Sequence, residues 1–533
     1  MTDGRRERTA LLPLPVALAV AVAAGLALDA SFPDPGIWPL APVGVATLVL
    51  AVQGRRPLPA AGVGLVAGLT FFGPLLAWAG VYVGWIAWVP LAVLEASYVA
   101  LYAALVPQVL RLPGGWAVRA VAVAALWVAV EALRARTPFG GFGWGRLAFS
   151  QADAPTLPLA ALGGAPLVSF AVALAGAALA LGAAGSVRRP GARPLAAGAA
   201  LVVAGASLGA GLLVPTPAEA QNGSVRVAAV QGNVPRPGLD FNAERRAVLD
   251  NHAGATLRLA ERVQAGEVPA PDLVLWPENS SDIDPLRNAD AAAVIDEAAR
   301  AVGVPVLLGA VLVRDDDRLA NATLQWQAGE GPVDRYVKQR PVPFAEYVPY
   351  RSFFRSITSA VDLVARDFVA GQEVGLLTAA GVPVGTAICF EVVEDSLVRD
   401  AVRAGAELIA VQTNNATFGY TDESVQQLAM SRLRAVEHGR AVVHVSTVGV
   451  SALVAPDGAV LDDSELFTAD VLTASLPRRD AETLATRVGA APELALTLLA
   501  VVAALAGALT GRRPVAAVPE TPAATPDREK AAP

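Results

Sequence analysis

Cys389 is the only cysteine in this 533-residue chain, and it ends the apolar run Val384-Gly385-Thr386-Ala387-Ile388. A lone cysteine can form neither an internal disulfide nor a thiolate metal site. Two readings stay open: a small buried hydrophobe, or a nucleophile. A nucleophilic thiol needs a group to take its proton and a cation to favour the thiolate. Glu278 follows the apolar run Leu273-Val274-Leu275-Trp276-Pro277, and Lys338 follows Asp334-Arg335-Tyr336-Val337. A carboxylate can take a thiol proton and return it to a leaving group. An ammonium lowers a thiol pKa and can stabilise the oxyanion of a tetrahedral intermediate. The set suits acyl transfer through a thioester. Spacing alone does not single it out, because any domain of this size holds a Glu, a Lys and a Cys.

The other chemistries are less favoured. His252 and His438 fall in predicted helices and His444 in an apolar strand, so each reads as a structural histidine rather than the partner of the thiol. No His, Cys and carboxylate cluster has metal-ligand spacing, and no cofactor is expected. The formal charge of −7 argues against nucleic acid as a partner.

All three candidates sit where strands end, and a strand fixes the base of a side chain while the loop frees its tip. Strands are predicted over 225–231, 273–276, 304–313, 319–325, 333–337, 384–389, 408–412, 441–446 and 450–455. Helices are predicted over 242–263, 291–302, 395–404 and 424–438. Together they make an α/β domain spanning 222–480.

The rest of the chain belongs to a membrane. Hydrophobic residues make up 54% and charged residues only 17%, with a mean hydropathy of +0.48. Residues 9–28, 35–54, 57–94, 154–187, 194–218 and 494–511 run about 18 residues or more without a charge, the length that crosses a bilayer. The stretch 57–94 is too long for one helix, and a turn at 80–84 divides it, so that its second helix starts at Trp85. A further span, 116–133, carries Arg119 and Glu131 near its ends. The expectation is seven spans in 1–215, an eighth at 492–511 and a disordered tail at 514–533. The first span reads as an uncleaved anchor. With the N-terminus inside, Arg5, Arg6, Arg8, Arg55, Arg56, Arg111, Arg188, Arg189, Arg193, Arg512 and Arg513 fall on the cytoplasmic side. Arg134, Arg136 and Arg146 are the exceptions. This topology puts 222–480 on the outer face. Glu95, inside the fourth span, is either functional or bonded to a neighbouring helix. The loop Phe139-Gly140-Gly141-Phe142-Gly143-Trp144-Gly145-Arg146 is either an aromatic anchor or a headgroup contact.

The ordered pieces Trp276-Pro277-Glu278, Tyr336-Val337-Lys338 with Pro343-Phe344-Ala345-Glu346, and Ile388-Cys389-Phe390-Glu391 resemble the nitrilase, or carbon–nitrogen hydrolase, superfamily. With spans on both sides, the whole chain resembles the apolipoprotein N-acyltransferase family. Val230-Gln231-Gly232-Asn233-Val234-Pro235, Thr413-Asn414-Asn415-Ala416-Thr417-Phe418-Gly419 and residues 427–440 add to the likeness.

The resemblance implies an αββα sandwich on the outer face of the cell membrane. It implies Glu278 as general base and acid, Lys338 as oxyanion stabiliser and Cys389 as nucleophile, with Glu346, Glu391 and Phe390 in support. The implied reaction is ping-pong. Cys389 takes an acyl chain from a phospholipid and passes it to the α-amine of a diacylglyceryl-modified cysteine that begins an apolipoprotein. A monomer is expected, with no synthase domain fused after the eighth span.

Three positions depart from the family pattern: Phe390 where tyrosine is common, Thr417 where tryptophan often stands, and Leu239 where some members have an aromatic. They bear on the acyl pocket rather than the triad. Residues 344–368, rich in Phe, Tyr and Arg, read as a mobile arm at the headgroup layer. Two other functions compete. A membrane-anchored amidase or nitrilase would use the same triad with water as acceptor. A transporter would need broken spans with paired charges, for which only Glu95 is a candidate.

Overall fold

A computed structural model describes residues 10–188, 193–234 and 244–510. The expected tail at 514–533, Leu239, Pro235 and the arginines at 5, 6, 8, 189, 512 and 513 lie outside the described residues.

The N-terminal part is a bundle of α1 (Leu14–Asp29), α2 (Leu40–Val52), α3 (Pro57–Leu75), α4 (Trp85–Val109), α5 (Trp116–Arg134), α6 (Ala160–Arg188) and α7 (Arg193–Gly209). Ala, Val, Leu and Gly cover all faces of these helices, the pattern of a helix with no water-facing side. Small residues set the spacing. Gly64 and Gly68 of α3 face α4, where a Cβ built on Gly68 would lie 2.6 Å from Ala96 Cα. Such small-residue seams replace the hydrophobic drive that lipid cannot supply.

The rest of the chain begins with β1 (Ser224–Gln231), α8 (Arg245–Gln264), β2 (Leu273–Leu275), α9 (Ala289–Val302), β3 (Val306–Val313), β4 (Leu319–Gln327) and β5 (Gly331–Val337). It continues through α10 (Arg351–Ile357), β6 (Leu376–Ala379), β7 (Val382–Ile388), α11 (Asp395–Arg403), β8 (Leu408–Thr413), α12 (Glu423–His438) and β9 (Ala441–Ser446). It closes with β10 (Ala452–Val454), β11 (Val460–Asp463), β12 (Asp470–Pro477), α13 (Leu484–Val488) and α14 (Ala491–Thr510).

The described residues form two six-stranded sheets, in the orders β12-β1-β2-β3-β4-β5 and β11-β10-β9-β8-β7-β6. Val225, Val227 and Ala229 of β1 pack against Val384, Ile388, Leu408 and Val443 of the other sheet. The alternate residues Ala228 and Val230 pack on Leu249 and Ala253 of α8 and on Ile295 of α9. Both faces of the sheet are therefore covered at its centre, which explains the nearly unbroken apolar runs of β2 and β3. On the second sheet, α11 and α12 form the outer layer and share a core with the membrane helices: Val398, Met430 and Leu433 cluster with Leu126, Phe149 and Val168. The layers are those of an αββα sandwich.

Among the described residues, six helical stretches are long and apolar enough to cross a membrane: Pro57–Leu75, Trp85–Val109, Trp116–Arg134, Leu157–Gly185, Leu195–Leu213 and Ala491–Thr510. The two expected spans at 9–28 and 35–54 form shorter helices, of 16 and 13 residues. Prolines delimit both: Pro13 precedes α1, Pro39 precedes α2, and Gly54 with a φ of 79° lies just beyond α2. Three strands, β6, β11 and β12, arise where none was predicted.

Candidate active site

Cys389 is reached through β7, which pairs in parallel with β8 so that Ile388 lies opposite Gln412. The strand ends at Ile388, one residue earlier than predicted. Cys389 itself takes a φ of 54° and opens the turn Cys389–Val393. A left-handed conformation is costly for a side chain with a Cβ. Glu391 holds it in place. Its fully buried carboxylate accepts from Ile388 N at 2.8 Å on one oxygen and from Gln339 N at 2.7 Å and Arg340 N at 3.1 Å on the other. The Tyr336 hydroxyl donates to the same carboxylate at 3.0 Å. Glu391 thus ties the thiol turn to the chain just after Lys338.

Glu278 follows β2 and Lys338 follows β5, and both are buried. Lys338 Nζ donates to Glu278 Oε1 at 3.2 Å and to Glu346 Oε1 at 3.1 Å. Burial alone would lower the ammonium pKa. The Glu278 and then the Glu346 carboxylates outweigh it and hold the pKa well above the usual lysine value. Lys338 is therefore a fixed cation rather than a base.

The Cys389 thiol is pushed up, first by burial and next by the Glu278 carboxylate, while Lys338 pulls it down. Because the side chain is only half-buried, water on its open side tempers the burial effect. The resting group is therefore a thiol.

Sequence reasoning missed several partners. Asn321 Nδ2 donates to Glu278 Oε1 at 2.6 Å and to Glu346 Oε1 at 3.0 Å. The Asn414 backbone N–H donates to Glu278 Oε2 at 3.0 Å. Thr413 and Gln427 approach the sulfur itself. Asn414 and Thr413 lay in a motif already noted, and Gln427 began another. Asn321, in the middle of β4, gave no signal.

The supporting residues separate by role. Glu346 accepts from Val342 N at 2.7 Å and orients Lys338 and Asn321. The Phe390 ring stacks on Phe142 and Trp144 of the loop that leaves α5. Glu95 accepts from Arg134 Nη1 of α5 at 2.6 Å. The same guanidinium donates to Phe142 O at 2.9 Å and to Trp144 O. Arg146 of that loop pairs with Asp395 at 2.8 Å, and Trp144 Nε1 donates to Gln426 Oε1 at 2.7 Å. Phe139 packs edge-on against Phe344 and Phe354. The three histidines are buried and bond to Val248 O, Thr486 and Ser431, away from the triad.

A carboxylate, an ammonium and a thiol on three strand ends between two sheets define a carbon–nitrogen-hydrolase type of site. Residues 226–486 match the family model described as carbon-nitrogen hydrolase, and residues 24–178 match that of the apolipoprotein N-acyltransferase N-terminal domain. The chain is 43% identical over 517 residues to an apolipoprotein N-acyltransferase of Mycolicibacterium smegmatis, covering 93% of this chain and 86% of that protein. It is 32% identical to the enzyme of that name from Azotobacter vinelandii, covering 85% and 88%. Among solved structures, a nitrilase-superfamily amidase variant from Nesterenkonia AN1 covers 50% of this chain and 95% of its own, at 19% identity and a TM-score of 0.38. The chain belongs to the apolipoprotein N-acyltransferase family.

Proposed function

We propose that this protein moves an acyl chain from a membrane phospholipid to the α-amino group of the diacylglyceryl-cysteine at the N-terminus of apolipoproteins. Family membership over nearly the whole chain supports the acyl transfer, and the site supplies its chemistry. Glu278 takes the proton of Cys389, and the sulfur attacks the ester carbonyl of the phospholipid. Lys338 stabilises the oxyanion. The tetrahedral intermediate collapses, Glu278 returns the proton to the departing lysophospholipid oxygen, and a thioester remains on Cys389. The α-amine then attacks the thioester and Glu278 accepts its proton; the C–S bond breaks as the amide forms, and Glu278 returns the proton to the departing Cys389 sulfur.

The observation that carries this reading is the setting of Cys389. Its turn leans on aromatic rings of the membrane-side loop. Beside Glu346, the rings of Phe344, Tyr350 and Phe353 are exposed. Such an apolar mouth suits two lipid-anchored substrates better than a small polar amide. The reading places 222–480 on the outer face of the cytoplasmic membrane, with seven spans in 1–215, an eighth at 492–511, a tail at 514–533 and a monomeric enzyme. In it, α1 and α2 cross the bilayer together with their flanking turns. Residues 344–368 serve as a mobile arm over the site.

The test supplies purified enzyme with phospholipid and a diacylglyceryl-cysteine peptide and follows both products. Amide-linked acyl peptide is expected, and it disappears with Cys389→Ala. Release of free fatty acid with no acyl peptide would instead support a hydrolase.

A further inference from the structure

Two side chains that this proton-transfer scheme does not use meet at the Cys389 sulfur. Gln427 Nε2 of α12 lies 3.7 Å from Sγ, and Thr413 Oγ1 at the end of β8 lies 3.6 Å from it. Both side chains are fully buried. Whether Gln427 offers the sulfur a proton or a lone pair depends on which way its amide faces, and hydrogen-bond polarity decides that.

The polarity starts from the backbone. Gly449 N–H donates to Ser446 Oγ at 2.7 Å. The Ser446 hydroxyl in turn directs its own proton to Asn415 Oδ1 at 2.5 Å. Asn415 Nδ2 therefore faces the other way and donates to Glu423 Oε2 at 2.5 Å and to Gln427 at 3.1 Å. The Gln427 atom that accepts is Oε1. The Thr413 hydroxyl donates to the same oxygen at 2.7 Å. With its carbonyl held twice, Gln427 turns Nε2–H toward the sulfur.

We propose that Gln427 is a further catalytic residue, whose amide N–H, aimed by the Gly449–Ser446–Asn415 relay, donates to the Cys389 sulfur and stabilises the thiolate as it attacks and as it leaves. This rests on Cys389 being the nucleophile. A hydrogen bond to an ionised partner is roughly twice as strong as one between neutral groups, so the donor favours the thiolate over the thiol. It offsets what burial and Glu278 impose on that thiolate. Glu423 anchors the far end of the relay. Burial raises its carboxyl pKa, the Asn415 bond pulls against this, and Glu278 adds to the rise, which reaches about 8. As a neutral acid at pH 7, Glu423 holds Asn415 without bringing a further negative charge to the thiolate.

Cys389 is the only cysteine, so alkylation of the full-length protein by iodoacetamide, read by mass, reports this thiol alone. Gln427→Met removes the donor at similar volume. The alkylation rate at pH 8 should fall about tenfold, with the pH–rate curve displaced upward by about one pH unit. Loss of a merely structural contact would not displace that curve. If Gln427→Met does not fold, Gln427→Glu decides. It keeps an acceptor for Thr413 and Asn415 and sets an anionic oxygen against the sulfur, so its displacement should be larger. A variant that follows the wild-type pH curve overturns the role of Gln427. The nucleophile assignment fails separately, if wild-type Cys389 never gains an acyl group from phospholipid.

Discussion

Phe390, the residue after the thiol, stacks on Phe142 of the membrane-side loop with ring centroids 5.4 Å apart and planes 24° from parallel. Trp144 of the same loop lies 6.3 Å from Phe390 at 11°. The backbone of that loop is gripped by Arg134, which Glu95 holds in turn. A buried ion pair of the helical bundle is thus linked, through two backbone carbonyls and an aromatic stack, to the turn that aims Cys389.

Phe142→Ala should therefore act on the reaction more than on the fold. An aromatic pair contributes about 0.5–1.5 kcal/mol beyond the area it buries, so unfolding in detergent shifts modestly. Acylation of Cys389 by phospholipid should slow about tenfold, because the turn loses its support. Acylation at the wild-type rate would show that the stack is only packing.

Asp395→Ala should cost stability instead. Asp395 bridges Arg146 at 2.8 Å and Arg434 at 2.8 Å, and both guanidiniums are buried. Together the two arginines hold the carboxyl well below the usual range against the opposing effect of burial. Removing it leaves two buried cations sharing too little negative charge, a loss of about 3–5 kcal/mol. Denaturant unfolding measures it directly, and a change below about 1 kcal/mol would contradict the shared bridge.

Lys338→Met leaves Glu278 and Glu346 facing one another without their cation and, in the proposed mechanism, removes the oxyanion partner. Loss of such a donor costs about 10²–10³ in rate, and the thiol should ionise at still higher pH. Glu346→Gln keeps the shape and an acceptor for Val342 N, so its loss should be smaller, on the order of tenfold. If the two variants fell equally, Glu346 would belong to the reaction centre rather than to its support.

How much of this was legible follows from where each signal lies. Glu278 and Cys389 follow apolar runs and Lys338 follows a mixed strand, each within a short motif, and the family order of those motifs makes them readable. The left-handed turn at Cys389 leaves no mark in composition, since nothing there is glycine. Asn321 and Gln427 are polar residues inside a regular strand and helix, and they reach the site only through sheet pairing and packing. β12 escaped because it returns to pair with β1, Ser224 opposite Pro477, and its residues Asp470–Pro477 alternate too weakly to announce a strand. β11 is exposed along its whole length and so lacks an apolar face. The eight apolar segments were legible as helices, but prolines shorten the first two below the length that crosses a bilayer by itself.

The pH dependence of stability tests Glu423. Its folded-state pKa, raised to about 8 from an ordinary value of 4.5, means that the folded protein holds a proton the unfolded chain has lost. The stability so gained is full below about pH 4.5 and disappears as pH rises toward 8. Relative to Glu423→Gln, the wild-type protein should lose about 1.4 kcal/mol per pH unit across that window. Urea unfolding of both proteins at pH 5, 6.5 and 8 gives the difference, and a constant difference would mean that Glu423 is already charged.

The central claim is that Cys389 carries the acyl group. Incubating the wild-type enzyme with a phospholipid of one defined acyl chain and weighing the peptide that holds Cys389 measures this directly. The peptide should gain the mass of one fatty acid less one water, lose it to hydroxylamine, and discharge it when a diacylglyceryl-cysteine peptide is added. Full acyl transfer to that peptide by a Cys389→Ala enzyme, or by a wild-type enzyme whose cysteine peptide never changes mass, would contradict the account.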